Sequence, residues 1–278
     1  MTVTESIAKP VPHDASIGRN LARMGSALAL PALGFIAIGL LWQMGSFALG
    51  RYLPPPIDVA RAAFDNLFQS RYLVGLGMPE GGFLPHLIST VLTVISGLAI
   101  GALVGTTTGS LAAYSPIVTA VFNPIINVFG NIPIMVAAPF FLIWFGVAEA
   151  SKVLLVALYS AVLLHVFMYR AIRNVRPHFV EYARTLGAPP LAIYRQVHLP
   201  GALPELFGGL RAALGASWGL AAITELLGST SGVGRIIITA WGVSDVALML
   251  AGLFWLCLIA LACDGLLMAA RRYVLRWM

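Results

Sequence analysis

Residues 181–205 read EYARTLGAPPLAIYRQVHLPGALPE, a charged and proline-marked stretch set between two long apolar runs. Its pattern is regular. Pro177, just upstream, suits the first turn of a helix, where a missing N–H costs little. Phe179, Tyr182, Ala183 and Leu186 then fall at i, i+3, i+4 and i+7, forming one apolar stripe with Glu181 and Arg184 off it. Gly187 ends that helix, because glycine accepts the left-handed conformation of a C-terminal stop. Pro189 and Pro190 open a second short helix in which Ile193 and Val197 share a face, and Pro200 closes it. The expected product is a compact knuckle, its apolar faces held to the rest of the chain and its Arg and Tyr side chains turned outward.

The surroundings of this knuckle are built for lipid. Of 278 residues, 59% are hydrophobic and only 10% charged, with a mean hydropathy of +0.89. A soluble domain carries about 25% charged residues, so the chain reads as an all-α polytopic membrane protein. A helix needs about 20 apolar residues to cross the bilayer. Six candidate spans follow, at about 26–48, 84–112, 117–146, 153–170, 206–228 and 246–270. Residues 1–25 form a polar leader ahead of an uncleaved first span. Residues 26–83 hold that span and a long loop, and 84–278 hold the remaining core, with the patterned loop at about 171–205.

Basic residues set the direction. Lys9, Arg19, Arg23, the arginines between 170 and 195 and those between 271 and 276 fall on one side. Arg51, Arg61, Arg71, Lys152 and Arg235 fall on the other. The richer side is cytoplasmic by the positive-inside rule, which puts both termini and the 171–205 loop of this multi-pass protein in the cytoplasm. The net charge of +6 is thus a topology signal. No basic cluster interleaved with aromatics points to nucleic acid. A plain connection between spans needs only a few residues. This longer, ordered one is either gripped by a cytoplasmic partner or laid on lipid headgroups.

Here a family pattern is visible. E-Y-A-R-T-L-G, nine residues, then V-H-L-P resembles the EAA loop of binding-protein-dependent ABC importer permeases. Glu181, Ala183, Gly187, Leu199 and Pro200 match position for position; Tyr182 and Val197 are mild departures. The segments NIPIMVAAPFFLIWFGV (131–147), LPGALPELFGGLRAALGASW (199–218), Thr224-Glu225 and SGVGRII (231–237) resemble the branch that carries aliphatic sulfonates, taurine and nitrate. Two places where that branch usually has arginine hold Thr93 and Gly130 here, which puts an anionic cargo in question.

The resemblance implies a type I importer fold in which two permease subunits enclose a path. An intact EAA loop favours a homodimer. ATPase subunits would grip the loop through Glu181, Ala183, Arg184, Gly187, Leu199 and Pro200, and a periplasmic or lipid-anchored binding protein would deliver the solute. Sulfonate, taurine, nitrate, bicarbonate or an uncharged vitamin precursor all remain open as cargo.

The chain shows no Walker A sequence, and its lysines, Lys9 and Lys152, follow no glycine loop. Energy must therefore come from a partner or from an ion gradient; the resemblance implies ATP and Mg in a partner ATPase, with no cofactor, metal or catalytic residue expected in this chain. The two cysteines, Cys257 and Cys263, share one apolar span at a spacing unlike a redox or zinc pair. Driving transport by an ion gradient through Glu225, His165 or Asp264 is the alternative.

Within the spans, Gly97, Gly101, Gly105 and Gly109 recur every four residues, a groove for close helix packing or a cargo-lining face. Asn123, Asn127 and Asn131 share one face of the third span, which must meet the bundle or a watery cavity. Together with Trp218 and Glu225 they are the candidates for lining the path. Glu225 reads as a carboxylate reaching the outer surface, a helix-interface bond or a cargo contact. Asp264 is expected to pair with Arg271 or snorkel.

Overall fold

The structure, a computed structural model, describes residues 14–277. It divides into two compact units, one up to Asp58 and one from Val59 onward.

The first unit is dominated by α1 (Asp14–Leu49), which carries Pro31 within it. Its apolar window, Pro31–Tyr52, is long enough to cross a membrane. A 3-10 turn, Gly50–Tyr52, follows. Trp42 Nε1 donates to the Pro54 carbonyl at 3.0 Å, which turns the chain back on the helix end. Of the expected leader, residues 1–13, Lys9 included, lie outside the described residues, and from Asp14 the chain is already helical.

The second unit begins in α2 (Pro56–Asp65) and contains α3 (Arg71–Gly75), whose N-cap Ser70 accepts from Leu73 N. Ala63, Leu73 and Met78 from this region join Phe83 and Leu87 in a core cluster with Val233, Ile236, Ala240, Leu248 and Ala251. Residues 59–82 thus pack as a folded cap on one end of the bundle.

The bundle consists of α4 (Phe83–Tyr114), α5 (Pro116–Asn131), α6 (Ile134–Phe145), α7 (Glu149–Arg173), α10 (Leu199–Leu226), α11 (Val233–Gly242) and α12 (Val246–Val274). The knuckle between α7 and α10 holds α8 (Pro177–Thr185) and α9 (Pro190–Ile193). Counting α1, five helices are long and apolar enough to span a membrane, or six if a bent pair serves as one span.

That pair corrects the expected third span at 117–146. α5 and α6 meet at 101° across Ile132 and Pro133. Proline lacks the N–H a continuing helix needs and pushes the residue before it out of the helical region. Ile132 accordingly sits at φ −73°, ψ 125°.

The start of the fifth span is also corrected. Pro200 does not close a short helix; it lies in the first turn of α10, which runs on from α9 through a π-turn at Tyr194–His198. Proline cannot supply the N–H of an unbroken α ladder, and the wider π-turn lies directly ahead of it, so the sequence stop read at Pro200 is a continuation.

α4 and α7 form the closest pair. Gly97, Gly101, Gly105 and Gly109 are all buried. A methyl group at Gly101 would stand 2.5 Å from Ser160 Cβ and 2.6 Å from the Ala157 carbonyl oxygen. At Gly109 it would stand 2.5 Å from the His165 carbonyl oxygen. Each glycine in the row thus lets the backbone of α7 come within reach of α4.

Candidate functional site

Two regions at opposite ends of α7 hold the chemistry. The first is the knuckle. Pro177 opens α8 at its first turn. Gly187 takes φ +76° with open space around it, the left-handed stop that an L side chain disfavours. Ile193 is buried, and Tyr194 Oη donates to Ser110 Oγ at 3.2 Å, anchoring the second half to α4. Asn174 Nδ2 reaches Glu205 Oε2 at 3.1 Å across the knuckle's base.

α8 itself is not packed down. Phe179, Tyr182, Leu186 and, in α9, Leu191 are 53%, 68%, 70% and 66% exposed. The expectation of an inward apolar stripe is therefore reversed: its large side chains face away from the bundle, and α8 rests mainly on α9 and the turn after it. Glu181 and Arg184 are exposed beside it, Ala183 is half-buried, and Leu199 and Pro200 are half-buried where the knuckle joins α10. Covering each large side chain of such a stripe contributes about 1.5–3 kcal/mol. The face is built to be covered.

The second region is a buried polar hub at the far end. Glu225, near the end of α10, is fully buried and does not reach the surface. Its carboxylate accepts from Thr90 Oγ1 at 2.8 Å and from Gly234 N at 2.9 Å. Thr90 Oγ1 in turn accepts from Val233 N at 3.0 Å. The carboxylate and this hydroxyl thereby satisfy two amides at the start of α11, which a buried helix end requires. Gly232, at φ +99°, leaves the needed room: a methyl there would lie 2.0 Å from the Glu225 carboxyl carbon. His86 Nδ1 donates to the Gly232 carbonyl at 3.1 Å, which fixes its tautomer.

Beside it sits Lys152, 2% exposed. Its Nζ donates to Glu149 Oε1 at 2.7 Å, Ser229 Oγ at 3.0 Å and Ser231 Oγ at 3.2 Å, which uses all three ammonium protons. Ser231 Oγ also bonds Glu149 and meets Ser89 Oγ of α4. The turn 227–232 is thus tied to α7 through Lys152 and to α4 through Ser89, Thr90 and His86. The sequence reading uses Lys152 as a topology marker and to exclude a Walker A loop. A lysine three residues after a glutamate at a helix start was the available signal for a local pair, but its serine partners lie almost eighty residues away.

The remaining candidates do not converge on either region. Asn127 and Asn131 are exposed, with Asn131 Nδ2 donating to the Asn127 carbonyl at 2.7 Å where α5 ends. Asn123 lines a cleft of about 450 Å³ with Thr119, Tyr114 and Arg173. Trp218 is buried against Val94, Leu214 and Ala221 in the core. His165 Nδ1 donates to Thr108 Oγ1 at 3.0 Å inside the bundle. Asp264 pairs with Arg211 of α10 through two contacts at 2.7 and 2.8 Å, not with Arg271. Among the described residues no three His, Cys, Asp or Glu side chains gather as a metal site.

Residues 105–278 match the family of the binding-protein-dependent transport system inner membrane component. The chain belongs to that family. It is 30% identical over 263 residues, 94% of its length and 90% of the relative's, to the SsuC permease protein of Bacillus subtilis (strain 168), whose name assigns it to aliphatic sulfonates. It is 30% identical over 256 residues to TauC of Escherichia coli (strain K12), the permease protein of a taurine transport system. That alignment covers 88% of this chain and 89% of TauC. Its fold is that of a chain of the methionine ABC transporter MetNI in inward-facing conformations, with a TM-score of 0.63 at 19% identity. That likeness covers 74% of this chain and 99% of the other.

This permease is a multi-pass inner-membrane subunit of an ABC importer, of the sulfonate and taurine branch. The gradient-driven alternative has no support in that relationship. ATPase and substrate-binding partners belong to such a system.

Proposed function

We propose that this permease couples ATP hydrolysis in a separate ATPase to inward passage of a small solute, with the knuckle as its docking site. The observation that carries the reading is the uncovered stripe of Phe179, Tyr182, Leu186 and Leu191, presented by a helix that the bundle does not hold. The ATPase, with its ATP and Mg, sits at this end, so the loop and both termini face the cytoplasm. Glu181 and Arg184 flank the docked stripe, Gly187 gives the bend, and Leu199 and Pro200 pass the motion to α10. Hydrolysis is the partner's work; no step of it falls to this chain.

The path lies between two permease subunits, here two copies of this chain. Exposed apolar side chains along the bent pair, among them Val128, Met135, Val136, Phe140 and Ile143, supply a face for that contact, with Asn127 and Asn131 bordering the path. The sulfonate or taurine class is the favoured cargo, on the strength of the relatives covering most of the chain. A binding protein delivers it at the capped end.

Purification of the tagged chain in mild detergent tests the docking. A P-loop ATPase is expected to co-purify with the wild type and to be lost in Gly187→Val and Glu181→Lys, both of which stay folded because neither touches a span. Retention of the ATPase by both variants would remove the docking assignment.

A further inference from the structure

The knuckle connects α7 directly to α10, so any pull on it acts on the ends of both helices at once. Two helices pulled at one end move as a lever only if they are joined at the other. Lys152 lies 21 residues before the end of α7, about 30 Å from the knuckle at 1.5 Å per residue. There its ammonium holds the α10–α11 turn through Ser229 and Ser231. Glu149 gathers both Lys152 and Ser231 on one carboxylate.

We propose that Lys152 is a positioning residue for coupling: it fastens the far ends of α7 and α10 together, so that movement of the knuckle tilts the two helices as one body instead of splaying them. This rests on the knuckle being the ATPase docking site.

The geometry separates this role from simple packing. Along most of its length α7 is fixed to α4 by the glycine row, which meets the backbone of α7 and the Cβ atoms beside it. Its partnership with α10 is made differently. Near the knuckle, Leu164, Met168 and Ile172 pack with Ala202, Leu206 and Ala213. Midway, the polar contact is a single serine pair, Ser160 and Ser217, at 3.4 Å. At the far end the joint is polar and centred on one cation. Glu225 and Thr90 hold α11 to α10 and α4, and neither bonds α7. Lys152 and Glu149 are the α7 side chains that bond the 227–232 turn. Removing the ammonium therefore leaves α7 only the Glu149–Ser231 bond to that turn, while Glu225 continues to hold α11. Glu149, whose side chain is 57% exposed, can then take its hydrogen bonds from water, so the fold survives the change.

The test uses the permease co-purified with its ATPase in lipid nanodiscs, in a Cys257→Ala, Cys263→Ala background. Spin labels go on Leu154→Cys of α7 and Leu227→Cys after α10, both exposed positions. Pulsed electron resonance reads the shorter, within-chain distance at rest and after trapping with ATP and vanadate. In the wild type one narrow distance is expected, unchanged by trapping. In Lys152→Met the same narrow distance is expected at rest and its loss, to a longer and broader distribution, on trapping, with ATP hydrolysis continuing.

A trapped Lys152→Met distance as narrow as the wild type's would overturn the proposal, as would a wild-type distance that changes on trapping. Equal broadening at rest and on trapping would make Lys152 a structural residue only. If Lys152→Met does not fold, Ser229→Ala with Glu149→Ala removes two of the three acceptors and is read in the same way. Absence of a co-purifying ATPase from the wild type is a failure of the docking assignment, seen before any distance is measured.

Discussion

Replacing Gly101 by alanine adds one methyl group where the structure has no room for it. That methyl would stand 2.5 Å from Ser160 Cβ, 2.6 Å from the Ala157 carbonyl oxygen and 2.9 Å from the Ala161 amide nitrogen. Two of these three are α7 backbone, which cannot rotate away as a side-chain tip does. Relief therefore requires α4 and α7 to separate by about 1 Å, given that carbon atoms pack best at about 3.5–4.0 Å.

Overpacking of this kind costs about 1–3 kcal/mol. Alanine's better helix propensity offsets about 0.5–1 kcal/mol of that. A net loss of about 0.5–2 kcal/mol remains, read as a lower unfolding midpoint in detergent by fluorescence-detected size exclusion after heating. Gly208→Ala and Gly265→Ala are the controls, since a methyl at either meets nothing within 4 Å. They should be neutral or slightly more stable. If Gly101→Ala melts with these controls, the close approach of α4 and α7 is not what the row of glycines provides.

Other substitutions probe the capped end. Glu225→Ala removes the acceptor for Thr90 and Gly234, and each donor left unpaired in a buried site costs about 1–3 kcal/mol. A sharp fall in the yield of folded protein is expected, with Glu225→Gln intermediate; equal yields for all three would refute the buried geometry. In the cap, Tyr72 Oη donates to Asp245 Oδ2 at 2.9 Å. This bond first, then burial and the Asp245 charge, raise the phenol above its ordinary pKa of 10.0. A group raised on folding adds stability below its unfolded pKa and loses it as pH climbs through the folded one. The tie should therefore hold up to about pH 10 and weaken above it. Ultraviolet titration should show a late-ionising tyrosine that is missing in Tyr72→Phe.

Much of the architecture was legible because it follows from local chemistry. Lipid forces backbone hydrogen bonds to close within helices, so apolar length alone located α4, α7 and α12 to within a few residues. Gly187 marked its bend because few other residues accept a positive φ. Pro200 was misread for a physical reason. A proline ends one helix or begins another with the same covalent geometry, and only the continuation through Tyr194–His198 distinguishes them. The α8 stripe was found correctly as a stripe, yet periodicity carries no information about which body covers it.

What the sequence by itself determined was the membrane class, the places of most of the long apolar helices, the family pattern of the 181–200 loop and the row of glycines. Each depends on residues close together in the chain. The tertiary structure alone decided that α5 and α6 turn by 101°, that Asp264 pairs with Arg211, and that Glu225 and Lys152 are buried. Desolvating a carboxylate or an ammonium is costly unless every lone pair and proton finds a partner. For Lys152 two of those partners lie 77 and 79 residues further along the chain. No local pattern specifies a meeting of that kind; the packing of α4, α7 and α10 does.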